Sequence, residues 1–93
     1  MGRVLYQYDI MTPTPKYDTD RMISDVKSKL PENVLMQQKV DIADAFFGIQ
    51  KLTMQFVCPE DVDGIQDILE NYLDKIKEEE LTGEWELSFT SRI

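Results

Sequence analysis

Few side chains in this chain could make or break a bond. It has no histidine and a single cysteine, Cys58. That composition excludes an internal disulfide framework and argues against a zinc or haem site. A metal-carrier loop of the Cys-x-x-Cys kind is absent as well. Asp41 and Asp44 are close enough to suggest paired carboxylates, yet they read as hairpin-turn residues, because aspartate bonds readily to its own backbone in turns. What remains are groups suited to binding. Phe46 and Phe47 are adjacent and followed by Gly48, in the run "DAFFGIQKLTMQF". Neighbouring side chains of a strand point to opposite faces, so with Phe46 in the core Phe47 is left outside. Glycine beside it admits a close backbone or a bulge. Phe47 then either anchors an interface or folds over the sheet end as a cap. Arg92 is the second candidate. It is outward by parity and next to the last residue, Ile93, where the terminal carboxylate could pair with it for about 0–1 kcal/mol.

These residues need a scaffold, and 93 residues allow one domain, 1–93, with one modest core. Eighteen acidic residues face ten basic ones, a net charge of -8. Such a surface repels a phosphate backbone, so no direct nucleic-acid partner is expected. It serves either solubility or steering toward a basic partner. No apolar run approaches the roughly 20 residues that cross a bilayer, so no membrane is expected. The N-terminus shows neither an apolar core nor a cleavage site for secretion. Together with the lone cysteine, this points to a reducing, cytoplasmic setting.

Hydrophobic spacing supplies the elements. Val4, Tyr6, Tyr8 and Ile10 alternate within "RVLYQYDIM", which predicts a strand over 3–11. Pro13 and Pro15 break it. Asp18 or Thr19 caps a helix whose stripe is Met22, Ile23, Val26 and Leu30, and Pro31 stops it. A second strand is expected over 34–42, imperfect at Gln38. The third carries Phe46, Leu52, Met54 and Phe56 inward. Residues 61–80 predict the second helix, with Gly64 in its first turn and a frayed acidic end at "KEEE". Trp85, Leu87, Phe89 and Ile93 alternate in a last strand, with Glu84, Glu86, Ser88, Thr90 and Arg92 on its outer side. The order βαββαβ predicts an α+β ferredoxin-like sandwich: a four-stranded antiparallel sheet with two helices on one face. Phe47 and Arg92 then fall at opposite ends of strands of about nine residues, roughly 30 Å apart.

The stretch "FFGIQKLTMQF" with its acidic turn resembles the aromatic-glycine-isoleucine-x-lysine-leucine segment of the elongation factor 1-beta family. "MGRVLYQYDIMTPTP" is similar to the opening strand and proline-bearing loop of the short archaeal form, and "DGIQDILE" to the family's second helix. The likeness covers nearly the whole chain, and the absence of an amino-terminal extension fits the archaeal type. The resemblance implies a guanine-nucleotide exchange factor for the GTPase elongation factor 1-alpha, which itself holds the nucleotide and magnesium. No cofactor and no catalytic group are then needed in this chain. Phe47, beside Gly48, matches the loop aromatic that contacts the second domain of the GTPase. Arg92, before Ile93, matches the penultimate basic position that reaches toward the magnesium site. That position is usually lysine in eukaryotic members, and arginine brings a wider, planar, permanently charged fork. Lys51 matches a basic residue of the third strand.

Other functions of the same fold class lack their residues here. An RNA-recognition module needs basic charge and exposed sheet aromatics, where this chain offers Glu84, Glu86 and Ser88. A small hydrolase needs a catalytic constellation that is not found. An effector-binding regulatory domain stays open as the alternative, because its sites are built largely from backbone.

Overall fold

The computed structural model describes residues 2–92. Five strands and two helices follow in the order β1 (Arg3–Met11), α1 (Thr19–Ser28), β2 (Leu35–Met36), β3 (Asp41–Phe46), β4 (Ile49–Pro59), α2 (Ile65–Glu78) and β5 (Trp85–Arg92). All pairings are antiparallel. β4 and β1 are central, β5 flanks β1, and both β2 and β3 pair with β4. The expected four-stranded sheet is therefore present, with one edge lane in two pieces. The break has a clear origin. From Met36 to Asp41 the edge advances five positions, while its partners Phe56 and Thr53 on β4 are three apart. Two residues of the polar run Gln37–Lys39 are in excess and leave the ladder, although the Gln37 N–H still donates to the Gln55 carbonyl (2.9 Å).

The alternation of β1 and β4 is what builds the core. Tyr8, Ile10, Leu52, Met54, Phe56 and Cys58 are fully buried beneath Met22 and Val26 of α1 and Leu69 and Leu73 of α2. Three aromatics packed in or against the core have partners for their polar tips. Tyr8 donates to Glu70 Oε2 (3.1 Å), Trp85 Nε1 donates to Asp74 Oδ1 (3.1 Å), and the Tyr72 hydroxyl donates to the Val26 carbonyl. Desolvation among these apolar neighbours pushes the Tyr8 and Tyr72 hydroxyls up, beyond their ordinary range. The opposite sheet face is polar and cross-linked. Gln55 Nε2 donates to Gln7 Oε1 (2.9 Å), Gln7 Nε2 to Ser88 Oγ (3.2 Å), and Thr53 Oγ1 to Asp9 Oδ1 (2.8 Å).

The helix ends differ from expectation in instructive ways. Asp18 caps α1, its Oδ1 accepting from the Asp20 and Arg21 N–H groups (3.1 and 3.3 Å). α2 begins at Ile65 rather than near 61, because Gly64 is left-handed (φ 70°) and a right-handed helix cannot include it. At the other end "KEEE" closes rather than frays. The Leu81 N–H donates to the Ile76 carbonyl and the Glu80 N–H to the Lys77 carbonyl, both 3.0 Å. These two bonds form a Schellman motif, which places the donor of its shorter bond in the left-handed region. That residue is Glu80, at φ 63°.

Glutamate in a glycine position, with its charge at the negative end of the helix, costs stability. Glu80→Gly is expected to stabilise the protein by roughly 0.5–1 kcal/mol, after allowing for glycine's greater chain entropy. At about 4–8 °C per kcal/mol for a domain of this size, thermal denaturation should show a rise of roughly 2–8 °C. A fall would mean that the closing bonds are not formed in solution.

Candidate functional site

The hairpin between β3 and β4 ends in a two-residue turn, Phe47-Gly48, closed by the pair Phe46 and Ile49. Both turn residues have positive φ, 48° at Phe47 and 80° at Gly48. This is the signature of the turn whose twist matches a hairpin, and it favours asparagine or glycine in the first place. A bulky residue there is strained. Phe47 is also 91% exposed, so no burial offsets that strain. A cap on the sheet end would be covered; this ring is not.

Phe46 departs from expectation as well. It is 57% exposed rather than in the core. β3 is exposed along its whole length, even Ile42 opposite buried Leu52, so this edge lane lies outside the core. The register also slips between Asp44 and Phe46, where Ala45 is the extra residue and turns Phe46 off its strand parity. The two phenyl rings meet edge to face, 6.0 Å between centroids. Phe46 also walls a groove of about 780 Å³ together with Met11, Tyr17 and Ile49. Asp41 and Asp44, expected in the turn, lie within β3 opposite Thr53 and Gln50.

The tip is propped from below by the proline-bearing loop. The Lys16 N–H donates to the Gly48 carbonyl (3.1 Å), and the Thr12 N–H to the Gln50 carbonyl (2.9 Å). A Cβ on Gly48 would stand 3.2 Å from Pro15 Cβ, so both the backbone angle and the packing call for glycine here. Lys51 belongs to this end too. It is half-buried and lies between Ala43 and Met11, on the face away from the helices.

Arg92 lies at the other end of the sheet. β1 spans the whole distance, with Met11 beside Lys51 and Val4 beside Arg92. The long axis of the molecule is 42 Å. The sequence parity for Arg92 is inverted, because β5 carries a bulge. Tyr8 pairs with Leu87 while Gln7 pairs with Phe89, so Ser88 is the extra residue. Beyond it Phe89 joins the polar face opposite Gln7, and Arg92 pairs with Val4 on the helix side. Its side chain is nevertheless 82% exposed, as β5 is an edge strand exposed from Glu86 to Arg92. Its partner is Glu60, with Nε 3.2 Å from Oε2. Sequence spacing gave no hint of this pair. It arises because β1 lies between β4 and β5 and aligns Arg3 with Pro59 and Val4 with Arg92. Ile93, the last of the candidate residues, lies outside the described residues.

Nothing among the described residues assembles a reactive centre. Burial pushes the Cys58 thiol up to about 11, so it packs as an apolar group at neutral pH. No group of three histidine, cysteine or acidic residues that could hold a metal occurs among the described residues. Among the described residues no helix is long and apolar enough to cross a membrane. The candidate residues thus lie at two exposed ends of one sheet, one aromatic and one cationic.

Comparison with known proteins speaks to the fold and the family. A de novo designed protein, Foldit4, superposes with a TM-score of 0.64 over 96% of each chain at 17% identity, which speaks for the fold alone. Elongation factor 1-beta of Hyperthermus butylicus is 30% identical over 79 residues, 83% of each chain. The family described as the EF-1 guanine nucleotide exchange domain matches residues 5–93. A chain matched over nearly its whole length in this way belongs to the EF-1 guanine nucleotide exchange family, and its role is that of an exchange factor in translation elongation.

Proposed function

We propose that this chain acts as one exchange domain that grips elongation factor 1-alpha at two places, with Phe47 and Gly48 at one end and Arg92 with Ile93 at the other. The exposed, backbone-strained Phe47 carries the reading. Strain of this kind persists where the local structure over-determines it, and it gathers at binding sites. Lys51 stands on the same end and adds a cation beside the aromatic contact. The partner holds the guanine nucleotide and magnesium, and this chain binds no nucleic acid.

The mechanism needs no chemistry from this protein. A GTPase holds GDP through phosphate contacts and a bridging magnesium. A protein that binds the empty GTPase more tightly than the loaded one weakens nucleotide binding by the same factor, because the coupling is reciprocal. Phe47 anchors one domain of the partner. Arg92, carried to the far end by β1 and β5, brings its guanidinium toward the metal site, where it repels the cation and competes for the anionic oxygens that hold it. A net charge of -8 steers the chain to a basic partner and speeds encounter. The work takes place in the cytoplasm, where translation proceeds.

Substoichiometric amounts should accelerate release of labelled GDP from the cognate elongation factor 1-alpha; no acceleration at any magnesium concentration would reject the reading. Phe47→Asn separates anchor from cap. Asparagine suits the turn, so the melting temperature should hold or rise, while exchange falls roughly 10-fold or more, as for loss of an interface anchor. Loss of stability with exchange intact would assign the ring to the fold instead. Arg92→Ala should slow exchange most at high magnesium; a loss independent of magnesium would leave Arg92 a role in docking only.

A further inference from the structure

Glu60 is built into the structure in a way that stability does not explain. Its ion pair with Arg92 is largely exposed on the arginine side, and such pairs add little to folding. Yet the carboxylate is seated. The Glu60 N–H donates to the Gly2 carbonyl (3.1 Å), which ties the turn after β4 to the start of β1. The carboxyl group occupies the space that a side chain at residue 2 would fill. A Cβ on Gly2 would stand 2.8 Å from its carbon and 2.9 Å from each oxygen. Glycine at this position leaves Glu60 room to lie over bare backbone.

The geometry of the pair matters more than its strength. Glu60 Oε2 meets Arg92 at Nε, on the long edge of the guanidinium. A carboxylate on that edge leaves the Nη1–Nη2 end as a fork for a second anionic oxygen. A long side chain already held at its base also loses less freedom when that fork engages. We propose that Glu60 is a positioning residue. It grips Arg92 by Nε and presents the end of the guanidinium to an anionic oxygen of the GTPase. This rests on the reading of Arg92 given above and adds what aims it. It also gives arginine a reason to stand at this position. A lysine ammonium held by Glu60 would have no second edge to offer.

The test uses Glu60→Gln and Gly2→Ala in the full chain. Gly2→Ala keeps the Glu60 charge and displaces only the far end of a flexible side chain, so it separates aim from charge and from folding. The first measurement is ¹⁵N relaxation of Arg92 Nε in the free protein. The second is GDP release from elongation factor 1-alpha, in the native and Arg92→Ala backgrounds. Both variants should mobilise Nε and slow release roughly 2- to 10-fold, the scale of freeing one side chain. Neither should slow Arg92→Ala further. Unchanged Nε motion would overturn the inference and leave the exchange reading intact. So would mobilised Nε with unchanged or faster release, provided Arg92→Ala is slow. If Arg92→Ala itself releases GDP at the native rate, the reading of Arg92 falls, and the role of Glu60 falls with it.

Discussion

The unbroken ladder between β1 and β4 is the constraint on which the rest of this protein depends. Nine consecutive pairs run from Arg3 and Pro59 to Met11 and Lys51 without a slip in register. One face of this pair carries Tyr8, Ile10, Leu52, Met54 and Phe56, all fully buried, so a one-residue shift would turn the core to water. The pairing is locked by that penalty. It makes a stiff rod through the middle of the sheet, and whatever is attached to its two ends stays at a fixed separation.

Irregularity is confined to the lanes beside the rod. β5 has its bulge at Ser88, β3 has one at Ala45, and the edge lane between β2 and β3 sheds two residues. Edge strands tolerate such defects because one side of each has no neighbour to satisfy. Both bulges re-aim a side chain near an end of the molecule. One brings Phe46 out beside Phe47, and the other turns Arg92 to the side where Glu60 waits. The strained turn belongs with them. A phenylalanine at φ 48° is held there by the hairpin closure above and the Pro15–Lys16 loop below.

This division suits the two-ended grip on a GTPase that is proposed for this exchange factor. The linkage argument asks for surfaces that fit one state of the partner better than another, at a distance that only a large partner spans. Stiffness between the ends is the requirement. Floppy ends would follow the partner through its conformational change and favour neither state. The fully buried core supplies the stiffness, and the edges supply the shapes.

The sequence by itself determined the central strands, both helices, the antiparallel βαββαβ order and the turn at Phe47, while leaving its ring either outside as an anchor or folded over the sheet end. Those features follow from alternation, helical spacing, Asp18 and the Phe47-Gly48 dipeptide, all of which act over a few residues. The resemblance of "FFGIQKLTMQF" to an exchange-factor family was legible too, and the comparisons agree with it. Three things were decided only in the tertiary structure. The edge lane split at Gln37–Lys39, parity reversed at Ala45 and Ser88, and Glu60 met Arg92. The bulges and the ion pair leave no local mark, whereas the split coincides with the break in alternation at Gln38. A bulge is set by the mismatch between two strands that are distant in the chain, and periodicity within one strand cannot report it. The Glu60 and Arg92 pair forms because a third strand, β1, aligns them from either side. Local chemistry chose which residues could bind; the shared register of three strands chose where they point.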